Sequence, residues 1–162
     1  MQEIKNKLNT FLYSAQSLAK MAEIEPFPPV SHLDKAALLG ACLCLKQAWE
    51  TWLVELASYL NVDVSVLEDE QSPIAANLPD CQLLFSLKQK EGSWYQQLRL
   101  LCSEPLFFWD RKPEAVTSAA TENVINIVAL DADNDDQIIN ALKVIEEFKA
   151  YIALTREQQT QW

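Results

Sequence analysis

Glycine is nearly absent from this chain, and its absence limits the folds that the chain can adopt. Only Gly40 and Gly92 occur among the 162 residues. Glycine supplies the positive-φ turns of tight hairpins and the close backbone approach that phosphate-binding loops need. The remaining sequence is rich in Leu, Ala, Glu, Gln and Lys, which lose little conformational freedom in a helix. The sequence therefore predicts an all-α fold and argues against a glycine-rich nucleotide-binding loop.

The size and charge of the chain restrict its partners. Its 162 residues are enough for one domain with a sizeable core. Its 13 Lys and Arg against 23 Asp and Glu give a formal net charge of −10, which repels nucleic acid phosphates and anionic membrane surfaces. We therefore expect a single helical domain over residues 1–162 that binds neither nucleic acid nor membranes.

The sequence also favours a cytoplasmic location. The N-terminal residues contain no basic segment that leads into a continuous apolar stretch, as a secretory signal would. The longest uninterrupted apolar run, Ala36–Leu45, is about half of the ~20 residues that cross a bilayer. Four cysteines lie in apolar, helix-like contexts, where reduced core residues are expected. They are Cys42, Cys44, Cys81 and Cys102.

Apolar spacing and turn residues predict a bundle of four main helices with one extra short helix. Apolar residues recur every three or four positions in these segments, which is the spacing of one helix face. The main helices are expected at about Gln2–Glu23, Ser31–Leu60, Pro79–Glu91 and from within Asp131–Asp136 to about Glu157, and the short one at Trp94–Ser103, closed by Pro105. The tail from about residue 158 is expected to fray.

Two segments have features of extended chain. Val62–Val66 alternates valine with polar residues, as a strand does, and Val124–Val128 is rich in β-branched residues. The two segments could pair as one minor β element, or the second could be only an extended connector. The aromatic stretch Leu106–Trp109 is expected in irregular chain.

The short motifs do not predict a metal site. Asp131, Asp133 and Asp135 match the first three ligand positions of a calcium-binding loop. However, the sixth and twelfth positions are Asp136 and Leu142, where such a loop needs Gly and Glu. Capping of a helix N-terminus explains these carboxylates better. We expect neither a metal nor another cofactor.

Catalytic groups are also scarce. The only histidine, His32, follows the expected cap Ser31 and has no other nucleophile near it in the sequence. Carboxylates could do acid–base work in pairs, but those of the helices fall on faces that the periodicity predicts to be solvated. They are Glu50, Glu55, Glu146 and Glu147. The sequence therefore predicts a protein that is not an enzyme.

A helical interaction protein is the function that the sequence favours. Large aromatic side chains are frequent, and contiguous exposed aromatics often mark partner surfaces. The structural alternative for Leu106–Trp109 is an apolar plug over one end of the bundle. The partner would be another protein or a second copy of the chain, as in a homodimer. The candidate surface comprises Phe107, Phe108, Trp109 and Arg111, or the exposed side of Trp49 and Trp52.

Two other functions remain open. An apolar pocket between the helices, bracketed by Trp94 and Trp109, would bind a small molecule. Alternatively, the acidic segments Asp63–Glu70 and Asp131–Asp136 would mimic nucleic acid and bind a basic protein.

The layout resembles that of short, uncharacterised bacterial all-helical proteins. The resemblance is carried by the amphipathic N-terminal helix, by the sequence AALLGACLCLKQAW at Ala36–Trp49 and by GSWYQQL at Gly92–Leu98. It covers about the first two thirds of the chain. It implies a helical fold and a bacterial source, and it implies no particular activity.

Overall fold

The structure describes a chain that is almost entirely helical. The computed structural model describes residues 1–23, 33–110 and 122–160, with side chains for 1–23, 36–102 and 140–159. Within these ranges the regular elements are all helices, and the predicted all-α fold is confirmed. The helices are α1 (Gln2–Glu23), α2 (Leu33–Leu60), α3 (Val64–Glu68), α4 (Pro79–Gln89), α5 (Trp94–Asp110) and α6 (Glu122–Thr160), with a 3-10 turn at Ala75–Asn77 before α4.

Four long helices, α1, α2, α5 and α6, pack side by side as a bundle. Helix α1 contacts α2 and α6, and α5 contacts the same two helices. Helices α2 and α6 run in the same direction, because Trp52 lies beside Phe148 and Glu55, further along α2, lies beside Arg156. The short helices α3 and α4 form the connection between α2 and α5.

The predicted span of α1, Gln2–Glu23, is confirmed. Its apolar stripe supplies the buried face, as the spacing of three and four residues requires. The predicted end of α2 at Leu60 is also confirmed. Beyond it, Asn61 adopts a φ of 55°, and the Val62 amide donates to the Ala57 carbonyl at 3.0 Å. This is the Schellman arrangement, in which a left-handed residue ends a helix.

The alternating pattern of Val62–Val66 predicts an extended segment, and this prediction was wrong. Val64 begins the helix α3. Asp63 caps this helix, and its Oδ1 accepts hydrogen bonds from the Ser65 amide at 2.9 Å and the Ser65 hydroxyl at 2.6 Å. The cap satisfies an amide at the helix N-terminus that has no partner within the helix. The period-two pattern was therefore misleading over this short segment.

Helix α5 continues past Pro105 to Asp110, so the prediction that Pro105 ends it was wrong. The aromatic stretch Leu106–Trp109 is consequently helical and not irregular. A proline inside a helix removes one backbone hydrogen bond and disfavours the helix without forbidding it.

The prediction of a β element at Val124–Val128 was also wrong, because this segment lies within α6. The predicted start of the last helix within Asp131–Asp136 is corrected with it, since α6 begins at Glu122. β-branched residues disfavour a helix by only fractions of a kcal/mol each, roughly up to 0.7. That cost is small enough for the surrounding sequence to outweigh it.

Gly40 lies where α2 approaches α1. A Cβ atom at this position would lie 3.1 Å from Cδ1 of Leu18. This distance is shorter than an ordinary van der Waals contact, so the absence of a side chain allows the two helices to pack closely.

Six aromatic side chains form a cluster in the core between α2, α5 and α6. Their ring centroids lie between 4.9 and 6.3 Å apart in the contacting pairs, within the range of favourable aromatic packing. The Phe148 side chain is fully buried and stacks on Trp94 with centroids 5.2 Å apart. The members are Trp49, Trp52, Trp94, Tyr95, Phe148 and Tyr151.

The cluster corrects one prediction about the candidate surface. Trp52 is only 2% exposed, so it has no exposed side to offer a partner. Trp49 is half-buried and packs against both Trp52 and Tyr95. Removing these large rings from water stabilises the bundle.

Among the residues that the structure describes, no helix is both long enough and apolar enough to span a membrane.

Candidate functional site

An open groove of about 270 Å³ lies between α1 and α6. Two buried apolar side chains, Leu12 of α1 and Ile152 of α6, are among its lining residues. Tyr13 also lines the groove and is 72% exposed, which is high for a large aromatic side chain. The lining residues are Asn9, Leu12, Tyr13, Lys149, Ile152, Ala153 and Arg156.

The spacing of the lining residues explains why they share one groove. On α6 they lie at positions 149, 152, 153 and 156, and on α1 at positions 9, 12 and 13. Residues three, four and seven apart lie on the same face of a helix. Each helix therefore contributes one continuous stripe to the groove.

Arg156 is held in place by a carboxylate of α2. Its Nε donates to Oε1 of Glu55 at 2.8 Å, and its Nη2 donates to Oε2 at 2.7 Å. This two-point geometry is the strongest form of ion pair between these residue types. Glu55 is only 3% exposed, so the expectation that it lies on a solvated face was wrong. The partner that stabilises its burial lies 101 residues away in sequence.

Lys149 is held by a neutral group of α1. Its Nζ donates to Oε1 of Gln16 at 2.6 Å. Partial burial of the Lys149 ammonium lowers its pKa, and the nearby positive charge of Lys20 lowers it further, while Glu146 acts in the opposite direction. A negative group bound beside Lys149 would stabilise the charged ammonium.

The charge of the groove differs from that of the chain. Two of its lining residues, Lys149 and Arg156, are cations, and none is Asp or Glu. The chain as a whole has 13 Lys and Arg against 23 Asp and Glu. Because Glu55 already pairs with Arg156, Lys149, whose hydrogen-bond partner is the neutral Gln16, is the lining cation that most favours a negatively charged ligand.

None of the described lining residues of the groove belongs to the surface predicted from the sequence. Phe107, Phe108 and Trp109 lie in the C-terminal part of α5, outside the residues with described side chains, and Arg111 lies outside the described residues. His32 also lies outside them. Three of the lining residues, Tyr13, Lys149 and Arg156, were not predicted from the sequence. The signal that could have found the last two was their seven-residue spacing on α6, on either side of Ile152.

The interior holds a second polar feature at the edge of the aromatic cluster. The Tyr151 side chain is buried, and its hydroxyl has no hydrogen-bond partner among the described residues. Burial raises the pKa of Tyr151 and the nearby Asp80 carboxylate raises it further, whereas the Thr155 side chain, which approaches the hydroxyl, acts in the opposite direction. The hydroxyl is therefore protonated at neutral pH.

The cysteines are packed in the bundle as the sequence analysis expected. Cys42 and Cys81 are buried, whereas Cys44 and Cys102 are half-buried. Burial raises the pKa of the Cys102 thiol to about 11, and it also raises the pKa of Cys44 and Cys81. Within the described part of the chain, no group of three His, Cys, Asp or Glu side chains is placed to hold a metal ion.

No protein-family model, curated protein or solved structure matches this chain.

Proposed function

We propose that this protein is a non-enzymatic helical interaction module that binds a helix of another protein in the groove between α1 and α6. The observation that carries the proposal is the groove itself, with the exposed Tyr13 on its lining and apolar side chains at Leu12 and Ile152. A helix that lays an apolar face into such a groove is a common mode of recognition.

The open shape of the groove favours protein side chains over a small molecule. Pockets for drug-sized ligands measure roughly 300–1,000 Å³ and enclose most of the ligand. This groove, at about 270 Å³, is near the lower end of that range, but it is open and would not enclose a ligand. A small apolar anion remains the second candidate, because Lys149, whose hydrogen-bond partner is the neutral Gln16, would pair with it.

The state of the thiols supports a function without covalent catalysis. Only a thiolate is a strong nucleophile, and Cys102 has a pKa of about 11. The raised pKa values of Cys44 and Cys81 likewise favour the protonated form at neutral pH. We propose a cytoplasmic location and a bacterial source as parts of the same hypothesis, on the basis of the sequence features described above.

The contacts of the acidic segment Asp63–Glu70 weaken the case for nucleic acid mimicry. The Asp63 carboxylate caps α3, and Glu70 forms an ion pair with Lys88 of α4. Carboxylates engaged within the chain are less available to a basic partner.

Blocking the groove tests the proposal. Ala153 is exposed and lines the groove, so the Ala153→Trp substitution is expected to place an indole in the space that a partner helix would use. We expect capture of the partner from lysate of the source cells, quantified by mass spectrometry, to fall by about tenfold or more. The free energy of unfolding should change by only about 0.5 kcal/mol, because the site is on the surface.

Ala150→Trp is the matched control, since Ala150 is an exposed alanine on the same helix and is not among the lining residues. It should leave capture unchanged. If Ala153→Trp retained the partner in full, the groove would not be the binding site. Loss of the partner in Phe108→Ala instead would place the site on the aromatic stretch of α5.

A further inference from the structure

We propose that the groove selects an acidic amphipathic helix whose two carboxylates lie seven residues apart, with apolar residues three and four positions after the first. This inference rests on the proposed function and specifies the chemistry of its partner. The groove residues on α6 provide the spacing, and the hydrogen bonds of the two cations provide the charge preference.

The spacing follows from helix geometry. Lys149 and Arg156 are seven residues apart on one face of α6, which corresponds to two turns and about 10.5 Å along the axis. Ile152 and Ala153 lie between them in the groove. A partner helix lying along α6 meets both cations when its carboxylates have the same separation. Because the apolar positions are symmetric within this interval, the pattern holds for either direction of the partner helix.

The Lys149 ammonium has a neutral partner within the chain. Its hydrogen bond goes to the amide oxygen of Gln16, and the positive charge of Lys20 lies close enough to disfavour its charged form. A partner carboxylate at this position would offset both that repulsion and the cost of partial burial. Glu146 of α6 supplies a nearby negative charge that acts in the opposite direction to Lys20.

The Arg156 guanidinium is oriented before a partner arrives. Glu55 accepts two of its N–H bonds, and an arginine side chain carries five. An arginine held by a buried carboxylate loses little side-chain entropy on binding, which favours affinity. Arg156 therefore offers a partner a side chain with a fixed orientation, whereas the Lys149 side chain can adjust its position.

A second copy of this chain is a less suitable occupant. Each copy has a formal net charge of −10, so two copies repel each other at long range. A separate acidic helix carries fewer charges to the groove than a whole acidic domain does.

A displayed library of helical peptides tests the inference, with charged and apolar residues varied on one face. We expect the pool selected by the wild-type protein to be enriched about tenfold in Asp or Glu at two positions seven apart, flanking an apolar pair. The tightest peptide should bind Lys149→Glu about tenfold more weakly, because a favourable charged contact becomes a repulsive one. Replacing the facing carboxylate of the peptide by lysine should restore its binding to Lys149→Glu.

Lys143→Glu is the matched control, because Lys143 is exposed on α6 and is not among the lining residues. It should bind the selected peptide as the wild type does. The selected peptides could lose binding to Ala153→Trp and yet show no enrichment in Asp or Glu. That result would overturn the inferred partner chemistry and leave the proposed function standing. Failure to find any binder that Ala153→Trp abolishes would overturn both.

Sedimentation of the wild type tests whether a second copy of the chain occupies the groove. We expect a sedimentation coefficient that does not change with concentration. Concentration-dependent association that Ala153→Trp abolishes would make a second copy the occupant and overturn the inference.

Discussion

Replacing Arg156 by methionine is expected to lower the free energy of unfolding by about 3 kcal/mol, the lower end of the ~3–5 kcal/mol lost when a buried ion pair loses one partner. The substitution leaves the Glu55 carboxylate, which is 3% exposed, without its two guanidinium hydrogen bonds. The lower end applies because the Arg156 side chain is itself 26% exposed, so water can reach the vacated space. Urea denaturation measures the loss.

The double variant Glu55→Met with Arg156→Met distinguishes an unpaired charge from a loss of packing. Removing both charges removes the cost of desolvating Glu55. The free energy of unfolding of the double variant should therefore lie within about 1 kcal/mol of the wild-type value. Equal losses in the single and double variants would contradict this explanation. Circular dichroism of each variant checks that the helical content is retained.

Phe148→Ala is expected to lower the free energy of unfolding by about 3–5 kcal/mol. The side chain is fully buried, and its ring lies against Trp49, Trp52 and Trp94. Alanine removes these contacts and leaves a cavity that the surrounding rings can fill only in part. Urea denaturation followed by tryptophan fluorescence reports both the stability and the altered surroundings of the indoles.

Leu154→Ala provides the control for Phe148→Ala on the same helix. Leu154 is 50% exposed, so its truncation should cost only about 0.5 kcal/mol. If Phe148→Ala cost no more than Leu154→Ala, the aromatic cluster would not be the core of the bundle.

The parts of the fold that the sequence predicted are those governed by local pattern. The apolar stripe of α1 is regular from Gln2 to Glu23, and both ends agree with the structure. Pro79 was expected to begin a helix and does so. The positive φ of Asn61 ends α2 at Leu60, the predicted residue. Each of these features depends on residues only a few positions apart.

The errors arose where a local preference competed with its surroundings. Val124–Val128 has a strand-like composition, but it lies inside the long helix α6. Pro105 disfavours a helix, yet α5 continues through it. Val62–Val66 alternates valine with polar residues as a strand does, but the cap supplied by Asp63 favours a short helix. Intrinsic preferences of this size are a weak guide over short segments.

The groove could not be predicted, because it depends on contacts between distant parts of the chain. Glu55 was assigned to a solvated face because nothing in its own helix reveals Arg156. Likewise, the neighbourhood of Lys149 is defined by Gln16, which lies 133 residues away. The seven-residue interval on α6 is visible in the sequence, whereas the helix that completes the groove is not.

The most direct measurement of groove binding is chemical-shift mapping by NMR on the labelled protein, with the tightest library peptide as the titrant. We expect the peptide to cause the largest shifts at Asn9–Gln16 of α1 and Lys149–Arg156 of α6. In Ala153→Trp the peptide should cause no shifts at these residues. Largest shifts in α5 or on the exposed face of α2, with the groove residues unchanged, would contradict binding between α1 and α6.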